Sequence, residues 1–297
     1  MKYQNIKRAG FAVSQLSFGC MSLHSGQEKP ESIISKAVEQ GITLFDTADL
    51  YDKGNNEKLL GKALKGNRND VFISTKVGNR WKSDGSSWDW CPSKTHILSA
   101  IDQSLKRLQT DHIDLYLLHG GTIDDPFDEV LETFEFLKES GKIRAYGISS
   151  IRPNVIKEYV KISGISAVMT QYSLLDRRPE EEMLDLLKQN DIAVLARGTV
   201  ASGLLIDKPA AAYLDYTEDD ILSILSEIDQ FRGARSRQEI AAAYVQMEPA
   251  ITTSVAGIRT MNQLDEALAA FNKNGMATSE REALRKMWPA NLYQEHR

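Results

Sequence analysis

The stretch IDLYLLHGGTIDDPFDEVLETFEFLKESGKIRAYGIS, residues 113–149, holds one repeat of the pattern that decides the fold. A short apolar run, IDLYLLH, stops at a histidine followed by two glycines. An amphipathic stretch, PFDEVLETFEFLKESG, comes next, with apolar residues at i, i+3 and i+4 and a proline and a glycine at its ends. A second apolar run, IRAYGIS, then ends in serine. The unit is strand, helix, strand. His119 is either a satisfied core histidine or a group placed to touch a substrate, and which other residues end strands in the same way decides between the two.

The same unit recurs on both sides. Candidate strands are SQLSFGC, ITLFDTA, VFISTKV, IDLYLLH, IRAYGIS, AVMTQYS, AVLARG and ITTSVAG. PESIISKAVEQG, KTHILSAIDQSLKRLQ and RPEEEMLDLLKQN read as further amphipathic helices. Ahead of them, YQNIKR and FAVSQLS flank a turn at Ala9-Gly10 and predict a small β-hairpin. NRWKSDGSSWDWCPS and LIDKPAAAYLDY are the longest segments off the pattern, and each follows a strand. No Pro/Ser/Gly-rich linker divides the chain. Eight strand–helix units predict an α/β fold, a (β/α)8 TIM barrel with an N-terminal β-hairpin, as one domain over residues 1–297. A doubly wound sheet is the rival. It calls for a Gly-rich turn after its first strand, and SFGCMSLHSG is a poor match.

Composition narrows the function classes. Of the 297 residues 42% are hydrophobic and 26% charged, as in ordinary globular proteins. The net charge of −5, with no basic block, predicts neither nucleic-acid nor anionic-membrane partners. No apolar run reaches the length of a membrane helix, and MKYQNIKRAGFAVS has no apolar signal core. Cys20 and Cys91 lack disulfide or zinc spacing, which favours a reducing, cytoplasmic setting and no metal site.

Barrel chemistry sits where strands end. Those ends hold Asp46, Lys76, His119, Ser149 and Ser150, Gln171 and Arg197, with Tyr51 just past the second strand. Each has a bland reading: Asp46 as a cap, Tyr51 as a half-exposed aromatic, Lys76 as a partner of any surface acid. Together they point elsewhere. A lysine and an aspartate ending apolar strands are buried charges that need partners, and they can supply each other. A phenol, with an unperturbed pKa near ~10, is a poor acid at neutral pH, and a nearby ammonium favours its ionised form. A neutral histidine N–H can orient a carbonyl oxygen. Such a group can polarise and protonate a C=O. It lacks a hydride donor, which no side chain supplies, and so implies a redox cofactor.

On these residues the chain resembles the aldo-keto reductase family. The matching stretches are GITLFDTADLY, GNNEKLLGKAL, FISTKVG, RLQTDHIDLYLLH, SGKIRAYGIS, QYSLLDRR and ASGLL, which span almost the whole chain. NRWKSDGSSWDWCPSKTHI, GGTIDD and ISSIRPNVIKEYV look like a bacterial branch of general aldo-keto reductases. The resemblance implies an NADPH-dependent reductase of aldehydes and ketones. In it Tyr51 is the general acid, Lys76 assists it, Asp46 pairs with Lys76, and His119 orients the carbonyl.

The cofactor contacts implied by the resemblance match less cleanly. Ser149 keeps the family residue, while Ser150 stands where the family has Asn. The family's Gln position is Met169, and Gln171 comes two residues later on the same strand face, about 6–7 Å along. Gln171 either reaches the nicotinamide amide or simply ends its strand. Arg197 replaces a stacking aromatic, and either stacks on the ring and donates to phosphate or pairs with a nearby acid. Gly198 and Gly203, in GTVASGLL, resemble the loop over the pyrophosphate. Gly257, Arg259 and Thr260 at a helix start resemble the adenosine-phosphate site, and Gln263 an adenine contact, whereas Ala267 replaces a family Asn. Arg259 favours NADPH over NADH.

Trp81, Trp88 and Trp90 fall in one loop. They either wall an apolar carbonyl pocket or cover a barrel edge. The tail WPANLYQEHR either folds over the mouth or frays. Two other functions are weighed against a small-molecule reductase. One is an NADPH-binding regulatory protein on the same scaffold. The other is an unrelated barrel hydrolase, for which no carboxylate pair or metal cluster stands out at the strand ends.

Overall fold

The computed structural model describes residues 1–24, 29–273 and 275–297. It opens with an antiparallel hairpin, β1 (Tyr3–Ile6) and β2 (Phe11–Ser14), turned through a 3-10 segment that ends at Gly10. Eight parallel strands then close a barrel. The first three are β3 (Leu16–Gly19), β4 (Leu44–Asp46) and β5 (Phe72–Val77). After a small antiparallel ribbon, β6 (Asn79–Trp81) with β7 (Trp88–Trp90), come β8 (Ile113–Leu118), β9 (Ile143–Ser149), β10 (Ala167–Gln171), β11 (Ala193–Arg197) and β12 (Ile251–Gly257). β12 returns to pair with β3. The TIM barrel and its hairpin are therefore as the sequence predicts.

Helices α1 (Pro30–Glu39), α2 (Asn55–Leu64), α3 (Lys94–Leu108), α4 (Phe127–Glu139), α5 (Pro153–Ile162) and α6 (Met183–Gln189) cover the outside, between successive strands. Two helices, α7 (Glu218–Phe231) and α8 (Arg237–Gln246), lie between β11 and β12, and α9 (Met261–Asn272) and α10 (Thr278–Met287) complete the ring. Local chemistry sets their starts. Ser93 accepts the His96 N–H at the head of α3, and Thr217–Asp220 and Ser236–Glu239 form reciprocal capping boxes on α7 and α8. α8 carries the run AAAYV, buried on every side, which explains why no amphipathic period marks it. No helix among the described residues is long and apolar enough to cross a membrane.

Strand alternation divides the core in two. One cluster fills the barrel: Leu44, Leu115, Leu117, Ala145, Ala167, Met169, Ala193, Leu195 and Val255, closed below by Ile6, Phe11 and Val13 of the hairpin. Phe11 stacks on Phe72 with ring centroids 4.3 Å apart, which fixes the plug to β5. The intervening residues, such as Ile73, Tyr116, Ile148 and Val194, face the helices. The parity has a consequence at the open end. Counting on by two along each strand puts Asp46, Lys76, His119, Ser149, Gln171 and Arg197 in one ring above the filled interior.

Candidate active site at the C-terminal mouth

Four of the ring's neighbours meet. Lys76 Nζ lies 2.6 Å from Asp46 Oδ2 and 2.6 Å from the Thr47 carbonyl oxygen, and 3.5 Å from the Tyr51 hydroxyl. Lys76 is 1% exposed and Asp46 4%, so the pair is dry. Burial alone pushes the Lys76 ammonium down. The facing Asp46 carboxylate and then Tyr51 outweigh it, and hold the ammonium above its ordinary range. An unpaired buried ammonium would cost several kcal/mol or lose its proton, which is why the aspartate and the carbonyl are needed there (of order several kcal/mol per ion).

Tyr51 is held by extending the β4–β5 ladder past Asp46. The Thr47 N–H donates to the Ser74 carbonyl, and the Asp49 N–H to that of Lys76. Tyr51 then opens a short 3-10 turn, Tyr51–Gly54, in which Asp52 and Lys53 sit at φ 47° and 52°. Such conformations are uncommon away from glycine, so the turn is held by its surroundings. Asn56 supplies part of that hold. It accepts from the Thr47 hydroxyl (2.6 Å) and donates to the Cys20 and Leu23 carbonyls (2.7 and 2.6 Å).

His119 completes the group. Its ring meets that of Tyr51 edge-on, centroids 5.8 Å apart. Burial, then the charges of Lys76 and Arg197, depress its pKa to about 3. The imidazole is therefore neutral and keeps a single N–H. Its carbonyl accepts from Asn79 Nδ2 at 3.0 Å.

Around the ring lie the other sequence candidates. Ser149 is opposite Met169 across β9–β10, and Gln171 is opposite Arg197 across β10–β11. The charge of Arg197 is felt by both Asp46 and His119. Ser150 differs: its hydroxyl closes a turn by accepting the Arg152 N–H at 3.2 Å. Gly198 adopts φ 73°, and a Cβ there would approach nothing nearer than Gln171 Cγ at 3.9 Å, so this stretch of wall stands open. Gly203 closes the following 3-10 turn, Ala201–Gly203. Beyond β12, whose last residue is Gly257, Thr260 caps α9 and Arg259 is exposed beside it. Gln263 bends back so that its Oε1 accepts the Arg259 N–H at 3.0 Å. Ala267 is buried in the helix packing.

The three tryptophans do not share one environment. They sit on the β6–β7 ribbon rather than in an irregular loop. Trp81 and Trp88 meet edge-on at 5.5 Å, with Lys53 Nζ 5.1 Å above the Trp81 ring. Trp88 is half exposed. Trp90 turns inward, and its Nε1 donates to Asp125 Oδ1 at 2.7 Å. Its ring lies against Gly78 and Gly120, and a Cβ at Gly78 would come within 2.5 Å of it.

Sequence reasoning missed a second buried layer behind Lys76. Glu57 is fully buried and accepts from Thr75 Oγ1 (2.7 Å) and Arg107 Nε (2.6 Å). Asp49 stands close enough that burial, then Glu57, raise its pKa to about 8. The matching stretch GNNEKLLGKAL contains Glu57, but nothing in its spacing assigns a partner fifty residues away on α3.

The barrel mouth thus brings together a dry lysine–aspartate pair, a tyrosine and a neutral histidine. The chain belongs to the aldo/keto reductase family, whose family model matches residues 15–288. These are oxidoreductases that use nicotinamide cofactors on small carbonyl substrates. It is 43% identical over its whole length to the whole of the uncharacterized oxidoreductase YqkF of Bacillus subtilis. It is also similar to the holo form of the aldo-keto reductase AKR11C1 from Bacillus halodurans, with a TM-score of 0.94, 45% identity, and 100% of this chain covering 99% of that one. Across 81% of this chain and 82% of the relative, it is 29% identical to the NADH-specific methylglyoxal reductase of Escherichia coli.

Proposed function

We propose that this chain is an NADPH-dependent reductase of aldehydes and ketones, with Tyr51 as general acid. The observation that carries the reading is the Lys76 ammonium, fixed by Asp46 and the Thr47 carbonyl and 3.5 Å from the Tyr51 hydroxyl. When a carbonyl takes up hydride, negative charge grows on its oxygen. Tyr51 gives its proton to that oxygen, and Lys76 stabilises the phenolate left behind. His119 donates its one N–H to the same oxygen and orients it. A bound dihydronicotinamide supplies the hydride.

The residues present suit that group. Ser149, the Gln171 amide and Arg197 offer donors for a carboxamide and a phosphate, and the open wall at Gly198 leaves room beside them. The N-terminus of α9, with Thr260 as cap and Arg259 next to it, suits an adenosine 2′-phosphate, which favours NADPH. The family resemblance assigns Gly203 to the pyrophosphate loop, Gly257 to the adenosine-phosphate site and Gln263 to the adenine. Trp81 and Trp88 form the apolar wall for the carbonyl's substituent, while Trp90 shapes the wall from behind. A small carbonyl with an apolar group is the substrate class.

The test is fluorescence titration with NADPH and NADH, followed by NADPH oxidation with 4-nitrobenzaldehyde. Tyr51→Phe is expected to bind NADPH normally and to lose turnover by about 10²–10⁴-fold. Unchanged turnover in Tyr51→Phe overturns the assignment of the acid, and tighter binding of NADH than NADPH overturns the cofactor preference.

A further inference from the structure

Met169 is buried in the barrel interior beside Leu117 and Leu195. Gln171 stands one inward position nearer the mouth. Its side chain is not free to turn. Arg178 Nη2 donates to Gln171 Oε1 at 3.1 Å. A guanidinium only donates, so the glutamine must present its oxygen to Arg178 and its NH₂ to the other side. Arg178 is itself locked. Its Nε and Nη2 donate to the two oxygens of Asp176, each at 2.8 Å, and Asp176 is 1% exposed. The Tyr293 ring lies 5.2 Å from the guanidinium. Tyr293 comes from the C-terminal tail, which is bolted to the same loop: Asn291 accepts the Arg177 N–H at 2.9 Å and donates to the Leu175 carbonyl at 3.1 Å.

On these contacts we propose that Arg178 is a positioning residue for the dinucleotide. Held by Asp176 and by Tyr293 of the tail, it fixes Gln171 as a pure donor toward the carboxamide oxygen of the nicotinamide. The inference rests on the dinucleotide reading above and deepens it. With the carbonyl end of Gln171 engaged and Arg197 opposite it in register, this part of the mouth carries donors only, and so selects an acceptor.

The experiment is a set of fluorescence titrations of the full chain with NADPH and with adenosine 2′,5′-bisphosphate, which lacks the nicotinamide (NADH and ADP, where NADH proves the ligand). Variants are Arg178→Ala, Arg178→Gln, Gln171→Ala and the Gln171→Ala/Arg178→Ala double. Each Arg178 variant is expected to weaken NADPH by about fivefold to tenfold, the scale of one net hydrogen bond, and to leave the bisphosphate unchanged. The double variant should bind no more weakly than Gln171→Ala alone, because Arg178 acts through Gln171. Wild-type NADPH affinity in both Arg178 variants overturns the inference. So does a parallel loss of the bisphosphate, which marks a merely structural arginine, or additive losses in the double. Failure of the wild type to bind either dinucleotide is a different result: it removes the cofactor reading itself.

Discussion

His119 shows what a single residue gains from its place. In sequence it is a histidine before two glycines; in the barrel it is a neutral donor with a pKa of about 3. The sign of its effect on stability follows. Its folded-state value lies below the ordinary 6.5, so protons bind the unfolded chain more readily. Its contribution is fully present above pH 6.5 and is lost as pH falls toward 3, by about 1.4 kcal/mol per pH unit within that window. Thermal melts from pH 7 to pH 4 should therefore fall more steeply for the wild type than for His119→Asn. Parallel curves would show that the imidazole is not held neutral by the fold. The pairing of Asp46 with Lys76 was legible in the sequence, because buried charges at strand ends must find each other, and Tyr51 and His119 joined them through the carbonyl chemistry that the group completes. The carbonyl of Thr47 that shares the ammonium was not, since a backbone acceptor leaves no mark on residue type.

At the scale of elements, the β6–β7 ribbon is the feature the sequence left open. Three tryptophans were legible as an apolar surface, but not which of them turns inward. Trp90 does so because glycines at 78 and 120 leave room for its ring, and because Asp125 takes its N–H. Gly78 also sits at φ 127°, which L side chains rarely adopt. Gly78→Ala should cost roughly 1–3 kcal/mol in urea unfolding, since the pinned indole cannot yield cheaply. Gly66→Ala is the control: nothing lies within 4 Å of its Cβ, and its stability should stay within about 0.5 kcal/mol of wild type. Equal stability of the two variants would mean that the ribbon moves freely on the barrel. Helices α7 and α8 were not read from the sequence; each starts in a reciprocal capping box, and α8 has no polar face to give its period away.

At the scale of the whole molecule, the last helix and tail are joined to the barrel through a buried polar network. Glu180 accepts from the Tyr172 hydroxyl at 2.8 Å, from Arg177 at 3.0 Å and from Tyr244 of α8, and forms an ion pair with Arg285 of α10 at 3.2 Å. Arg177 and Glu180 are 5% and 7% exposed. Removing the carboxylate alone leaves buried guanidinium charge without a partner. Glu180→Gln is expected to lose about 3–5 kcal/mol of unfolding free energy, measured by denaturant titration. A loss below about 1 kcal/mol would show that the Arg285 and Trp288 carbonyls, which also accept from Arg177, satisfy it without Glu180.

The sequence by itself determined the barrel, its hairpin plug and the four residues at the mouth. The barrel follows from periodicity and the Asp46–Lys76 pair from the need of buried charges for partners, both of which are local or pairwise rules, while Tyr51 and His119 follow from the chemistry they complete. Only the tertiary structure decided how Gln171 is held and which acids lie behind the site. Gln171 is aimed by Arg178, Asp176 and a tyrosine from the far end of the chain, and Glu57 is met by an arginine on another helix. The Tyr293–Arg178 and Arg107–Glu57 contacts join residues far apart in the chain, Gln171, Asp176 and Arg178 meet across one loop, and the geometry of both exists only once the barrel has closed.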